Sequence, residues 1–168
     1  MNTNRLRVAV IADYAEEGWP SMDLVADMLM SHLAAEHAGT VEATLMRPVM
    51  PARLARRFDR CAARFYDYPR VLAALPDVFD VYHVVDHSYA HLVHRRPAGR
   101  TLVTCHDLDA FRSVLQPDEE RRSLPYRWMT GRILSGLRLA SHVACDSEAT
   151  LIGILASFLK RPLLRKAS

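Results

Sequence analysis

Residues 6–12 read LRVAVIA, an almost unbroken apolar, β-branched run. A strand with one wet face alternates apolar and polar residues. A run without that alternation fits a strand covered on both faces, as in a parallel sheet. Outward from this stretch the apolar period changes repeatedly. A polar loop (13–20) is followed by Ser21, a residue type suited to capping a helix, and by Leu24, Met28 and Leu29 at helical spacing. Residues 41–46 form a second short strand, and Pro48 and Pro51 precede an arginine-rich helix over 52–66 and a shorter one over 71–75. Strands are expected at 79–85, 101–105 and 142–145. A short helical piece at 88–94, a helix over 125–139 and a last helix capped by Ser147 complete the order. Strands alternating with helices imply right-handed crossovers and a Rossmann-like, doubly wound parallel α/β sheet in one domain.

Length and composition agree. The chain has 168 residues, of which 50% are hydrophobic and 24% charged, which suits a single core and excludes disordered, collagenous and disulfide-scaffold classes. Cys61, Cys105 and Cys145 are odd in number and lack CxxC spacing, so they read as reduced thiols. With no apolar stretch near the length of a signal core or membrane span, the expected location is cytoplasmic. A net charge of +3 is too small for a dedicated nucleic-acid binder. All basic residues except Lys160 and Lys166 are arginine. On the 52–66 helix, Arg53, Arg56, Arg57, Arg60 and Arg64 share one arc. Leu54, Phe58, Cys61, Ala62 and Phe65 share another. Such a basic arc is an ordinary solvated face or, alternatively, a peripheral contact to anionic lipid at the inner membrane face.

In parallel sheets of this kind, ligands bind beyond the carboxyl ends of the strands. The segments there hold Asp13, Glu16, Glu17, Asp86, His87, His106, Asp107, Asp109, Asp146 and Ser147, whereas the strand bodies are apolar. Converging acceptors and donors of this kind suit sugar hydroxyls. His106-Asp107, directly after the fourth strand, is the sharpest pair: His106 can donate and accept near neutral pH, and Asp107 can orient it or cap the next turn. His83, His87, His91 and His94 do not share a face, so no metal site is expected. GxGxxG, phosphate-loop and GxSxG motifs are absent.

The segments FDVYHVVDHS (79–88), YAHLV (89–93), TLVTCHDLDAF (101–111) and ASHVACDSEAT (140–150) together resemble the N-terminal domain of glycosyltransferase family 4. The opening RVAVIA (7–12) followed by EGWPSMD (17–23) is similar to the first strand and acceptor loop of some members. The resemblance spans 5–150 and leaves 151–168 as a divergent helix and tail. It implies half of a GT-B architecture, the acceptor side of a retaining, metal-free transfer from a nucleotide-sugar, with no further cofactor. His106 would then lie near the transferred sugar, with Glu17, Gly18 and Trp19 on the acceptor side. Asp86, His87, Asp146 and Ser147 complete the expected binding rim, and His106 and Asp107 are the expected catalytic pair. The family's donor domain carries a Glu-x7-Glu motif, and no glutamate here has another eight positions on. The expectation is therefore a truncated enzyme needing a separate C-terminal donor domain. The alternatives are a non-catalytic relict or partner module and, from His106-Asp107 with Asp146, a metal-dependent phosphohydrolase.

Overall fold

The computed structural model describes residues 5–50 and 56–159. Its centre is a five-stranded, all-parallel sheet of order β2-β1-β3-β4-β5. The strands are β1 (Leu6–Ile11), β2 (Val41–Met46), β3 (Val81–Val84), β4 (Thr101–Cys105) and β5 (His142–Cys145). The α/β class and the bounds of β2, β4 and β5 match the sequence expectation, while β3 is shorter at both ends. The order reverses direction at β1: the chain steps to β2 on one side, then crosses back to β3 on the other. Right-handed crossovers then require the first connection to lie on one face and the later ones on the opposite face.

The core divides accordingly. Helix α1 (Pro20–Glu36) covers one face, where Ala26, Leu29, Met30 and Leu33 pack on Val8, Val10 and Ala12. The other face holds Ala9, Ile11, Tyr82, Val84 and Val103. Against them pack Tyr68 and Leu72 of α3 (Tyr68–Ala74), Leu92 and Val93 of a 3-10 stretch (His87–Arg95), and Leu134 and Leu137 of α5 (Leu124–Leu139). Two short helices, α2 (Arg56–Ala62) and α4 (Arg112–Leu115), and a last one, α6 (Glu148–Leu159), complete the layer order.

Three local expectations change. Ser21 does not cap α1, because Pro20 occupies the first turn, where its fixed φ and missing N–H are harmless. Leu24 and Met28 are exposed, at 60% and 62%, because the buried stripe of α1 runs instead through Ala26, Leu29, Met30 and Leu33. Both stripes have helical spacing, so periodicity alone could not choose between them. The third change concerns the arginine-rich helix, whose expected first residues (52–55) lie outside the described residues. From Arg56 it is α-helical, then winds as a π-helix over Ala63–Asp67 before α3. The wider π turn moves later residues off the 100° phase assumed for an α-helix. Cys61, assigned to the apolar arc but placed in α2 before that turn, is exposed, and Ala63, the first residue of the turn, is buried. The tail beyond Leu159 is likewise outside the described residues.

The 3-10 stretch and α5 pack most closely at Gly136. A Cβ there would sit 2.0 Å from the Ala90 carbonyl oxygen and 2.5 Å from its carbon, both backbone atoms that cannot rotate away. Gly136→Ala is therefore expected to destabilise the fold by about 2–3 kcal/mol or more, the range of forced overpacking. Gly99→Ala, with nothing within 4 Å of the added carbon, is expected to be near neutral. Urea denaturation of the two variants against the parent chain checks both.

Candidate functional site

Parallel register fixes which strand-end residues meet. Ile11 pairs with Val84, so Asp13 and Asp86, each two residues further on, emerge level from adjacent strands. They stand where the strand order reverses, the point at which open α/β sheets leave a crevice between diverging crossovers. Both are deeply buried, Asp13 at 4% and Asp86 at 5% exposure.

Asp86 is committed to the turn it begins. Its Oδ1 accepts the Ser88 backbone N–H at 2.8 Å and its Oδ2 accepts the Ser88 hydroxyl, capping the 3-10 stretch. The Ser88 oxygen in turn accepts from an Arg64 guanidinium N–H. Arg64 lies in the π-helical turn, and its guanidinium carbon stands 4.2 Å over the Tyr89 ring. It therefore does not continue the solvated basic arc expected from α-helical phase. Its Nε is buried with no hydrogen-bond partner.

Between β1 and α1 the chain turns through a 3-10 segment (Ala15–Glu17) and Gly18, whose φ of 68° lies in the left-handed region that glycine occupies without strain. This turn carries Glu17 inward, to 8% exposure, where it accepts the Tyr89 hydroxyl. Trp19, next in sequence, is 55% exposed at the start of α1. Tyr14, Tyr68 and Tyr89 meet edge to face around this floor, and the Tyr68 hydroxyl holds the end of β1 by donating to the Ala12 carbonyl at 2.6 Å.

Asp13 differs from its neighbours because its Oδ1 is buried without a partner. Burial, reinforced by the charge of Asp86 and only partly offset by Arg64, pushes its carboxyl up to about 7. Asp13 is thus a carboxyl that can hold or release a proton near neutral pH.

Register also sets the other half of the rim. Cys105 pairs with Cys145, which brings His106 level with Asp146. The His106 Nδ1 lies 2.9 Å from Asp146 Oδ2 and its Nε2 lies 3.0 Å from the Val85 carbonyl. Two acceptors on one ring are best met by the doubly protonated imidazolium. Burial opposes that charge, but the Asp146 hydrogen bond, the Val85 carbonyl and the charges of Asp146 and Asp86 outweigh it, so the His106 pKa is raised. His87 behaves oppositely. Burial outweighs the pull of Asp86 and Asp107 and lowers its pKa. Its Nδ1 accepts the His106 backbone N–H at 3.4 Å, which leaves the proton on Nε2, 3.8 Å from Asp107 Oδ1.

The expected site residues therefore line one sheet edge in two linked groups: Glu17, Gly18 and Asp86 around the reversal point, then His87, His106, Asp107 and Asp146 beyond β3, β4 and β5. Asp107, expected to be catalytic, closes a turn by accepting the Asp109 N–H at 2.9 Å, with its side chain mostly in solvent. Ser147 caps α6, as expected, by accepting the Thr150 N–H at 3.1 Å, and the Thr150 hydroxyl donates to the His106 carbonyl. The histidines of the 83–94 stretch are dispersed: His83 bonds Thr104, His91 the Arg64 carbonyl and His94 Ser135. Among the described residues, the group with metal-ligand proximity is His32, Glu36 and His37, exposed at the C-terminal end of α1 and at the opposite sheet edge from the rim.

In the sequence Asp13 is one polar strand end among several, and Arg64 belongs to a basic arc that suits a solvated face or a contact to anionic lipid. Asp13 could have been singled out from the end of the first strand once the reversal at β1 was known. The inward turn of Arg64 follows from the π winding, for which the sequence carries no periodic signal. Comparison of the chain with protein-family models, with curated proteins and with solved structures finds no match in any of the three. No helix among the described residues is long and apolar enough to cross a membrane.

Two expected outcomes follow from the titrations. Asp13 holds its proton more tightly folded than unfolded, so ionising it between about pH 4 and 7 costs stability. Asp13→Asn should raise stability at pH 8, on the order of 2 kcal/mol, and leave it nearly unchanged at pH 4, where the parent is protonated; denaturation at both pH values measures this. His106 has a raised folded pKa, so its pairing with Asp146 stabilises fully below the unfolded value and is lost as pH rises through the folded one. Asp146→Asn should lower the His106 pKa, read from its ring proton shifts in an NMR titration.

Proposed function

We propose that the crevice at the ends of β1 and β3 binds a small polyhydroxylated ligand and serves as the acceptor side of a retaining glycosyl transfer from a nucleotide-sugar. The observation that carries this reading is the grouping of Asp13, Glu17, Asp86 and Arg64 at the reversal of strand order, with unsatisfied hydrogen-bonding capacity at Asp13 Oδ1 and Arg64 Nε. Sugar recognition needs directional acceptors and donors on a rigid floor, and the tyrosine cluster supplies the floor.

In this reading the roles shift from those expected of the motif. His106, held by Asp146 and Val85, is a positioning residue that fixes the β4 end. Asp13 is the carboxyl of the crevice that can change its protonation state near neutral pH when a ligand binds. Transfer would come from holding the hydroxyl against the donor sugar. Three carboxylates facing one guanidinium disfavour a diphosphate here, so the donor's charge would be met by basic groups on a separate unit. The competing reading, a binding module without catalysis, shares the crevice and differs only in turnover.

The test is a saturation-transfer NMR screen of monosaccharides against the purified chain, followed by incubation of any binder with nucleotide-sugars. Sugar binding weakened about tenfold or more by Arg64→Ala, the scale of a lost charged hydrogen bond, is the expected result. Transfer or donor hydrolysis is expected only when a donor-binding unit is supplied. Failure of every sugar to bind would overturn the reading, and efficient turnover by this chain alone would overturn the separate-donor part of it.

A further inference from the structure

Resting on the same crevice, the balance of its charges points to a narrower class of ligand. Asp13, Glu17 and Asp86 are each more than nine-tenths buried, and Arg64 is the cation set among them. Arg64 is itself engaged, stacked on Tyr89 and bonded through Ser88 to Asp86. It therefore leaves an excess of buried negative charge on the Asp13 and Glu17 side. Buried carboxylates without compensation are costly, and a structure that keeps them usually supplies a counter-charge or a proton. Here a proton is the supplied partner, since Asp13 is held near the neutral point between its two forms.

The unsatisfied atoms say what else could fill that place. Asp13 Oδ1 is an acceptor without a donor. The Tyr14 hydroxyl, in a residue 2% exposed, is by contrast taken up by burial and by the Glu17 carboxylate it faces. A ligand group that meets Asp13 Oδ1 among these buried acids would be an N–H donor carrying positive charge. A compact metal ion fits less well: among the described residues, these carboxylates do not bring three ligand atoms within 4.8 Å of one another, as the His32 group does. An ammonium group, with three donors spread over hydrogen-bond distances, tolerates the wider spacing.

We infer that the crevice recognises a protonated amine on a hydroxyl-bearing ligand, an amino sugar or similar aminated polyol, with the ammonium seated against Asp13. The ammonium replaces the proton that Asp13 otherwise carries, so binding near neutral pH ionises the carboxyl and releases that proton to solvent. The ligand's hydroxyls remain for Glu17, Arg64 and the exposed Trp19 side of the loop.

Three probes that differ only at one carbon separate the possibilities: glucosamine, N-acetylglucosamine and glucose, titrated into the full chain by calorimetry at pH 7 in two buffers of different ionisation enthalpy. The expected result is glucosamine binding at least tenfold tighter than the other two, the scale of a charged hydrogen bond. Its observed heat should depend on the buffer, as net proton release requires. Asp13→Asn should remove both the preference and the buffer dependence, with circular dichroism confirming that the variant is folded. The buffer dependence needs no variant, so it tests the inference even if the substitution perturbs the fold. Equal binding of all three sugars, still sensitive to Arg64→Ala, would overturn the ammonium inference while leaving the crevice as the sugar site. Binding of none, or binding indifferent to Arg64→Ala, would overturn both.

Discussion

The pairing of Ile11 with Val84 is the constraint from which the polar edge of this molecule follows. Once β1 and β3 are adjacent, parallel and in that register, two aspartates two residues beyond the pair must stand side by side, whatever their charge. The apolar bodies of the strands hold this arrangement in place. Val10 and Val84 are fully buried, Ile11 nearly so, and a slip of one residue would send each to the wrong face of the sheet. Packing thus enforces the close approach of carboxylates that electrostatics alone would separate.

The response of the surroundings differs from one carboxylate to the next. Asp86 and Asp146 are absorbed into hydrogen bonds with Ser88 and His106, and Asp107 into a turn. Glu17 is held by Tyr89. Asp13 has no such arrangement at Oδ1, and its proton affinity rises instead. Polar residues along the rim are therefore unequal in what they can offer a ligand. The most conspicuous pair in the primary structure, His106 with Asp107, is also the pair whose bonding is most fully used within the protein.

That inequality marks the limit of what the sequence made legible. The parallel sheet, the bounds of β2, β4 and β5, the cap at Ser147 and the gathering of polar residues at one edge could all be read from it. Each depends on local pattern or on the general rule for strand ends. Which of two helical stripes on α1 faces inward could not be read, because Leu24 and Met28 repeat with the same spacing as Ala26 and Met30. Nor could the environment of Arg64, since an arginine in a basic helix looks the same whether its turn is α or π. The strand order, which sets Asp13 and Asp86 together, is a long-range outcome of crossover direction and is not encoded at either residue.

The π winding at Ala63–Asp67 makes the length of this segment matter as well as its composition. A π turn can be regarded as an α-helix that has accepted one additional residue. Deleting any single residue there would let the helix close to its usual pitch and swing position 64 by about 100°, the angular step of one residue. The guanidinium would leave Tyr89 and Ser88, and the acids at the sheet edge would be left without their cation. Evolution could in this way make the cleft wholly acidic by a one-codon indel, without substituting any residue that lines it.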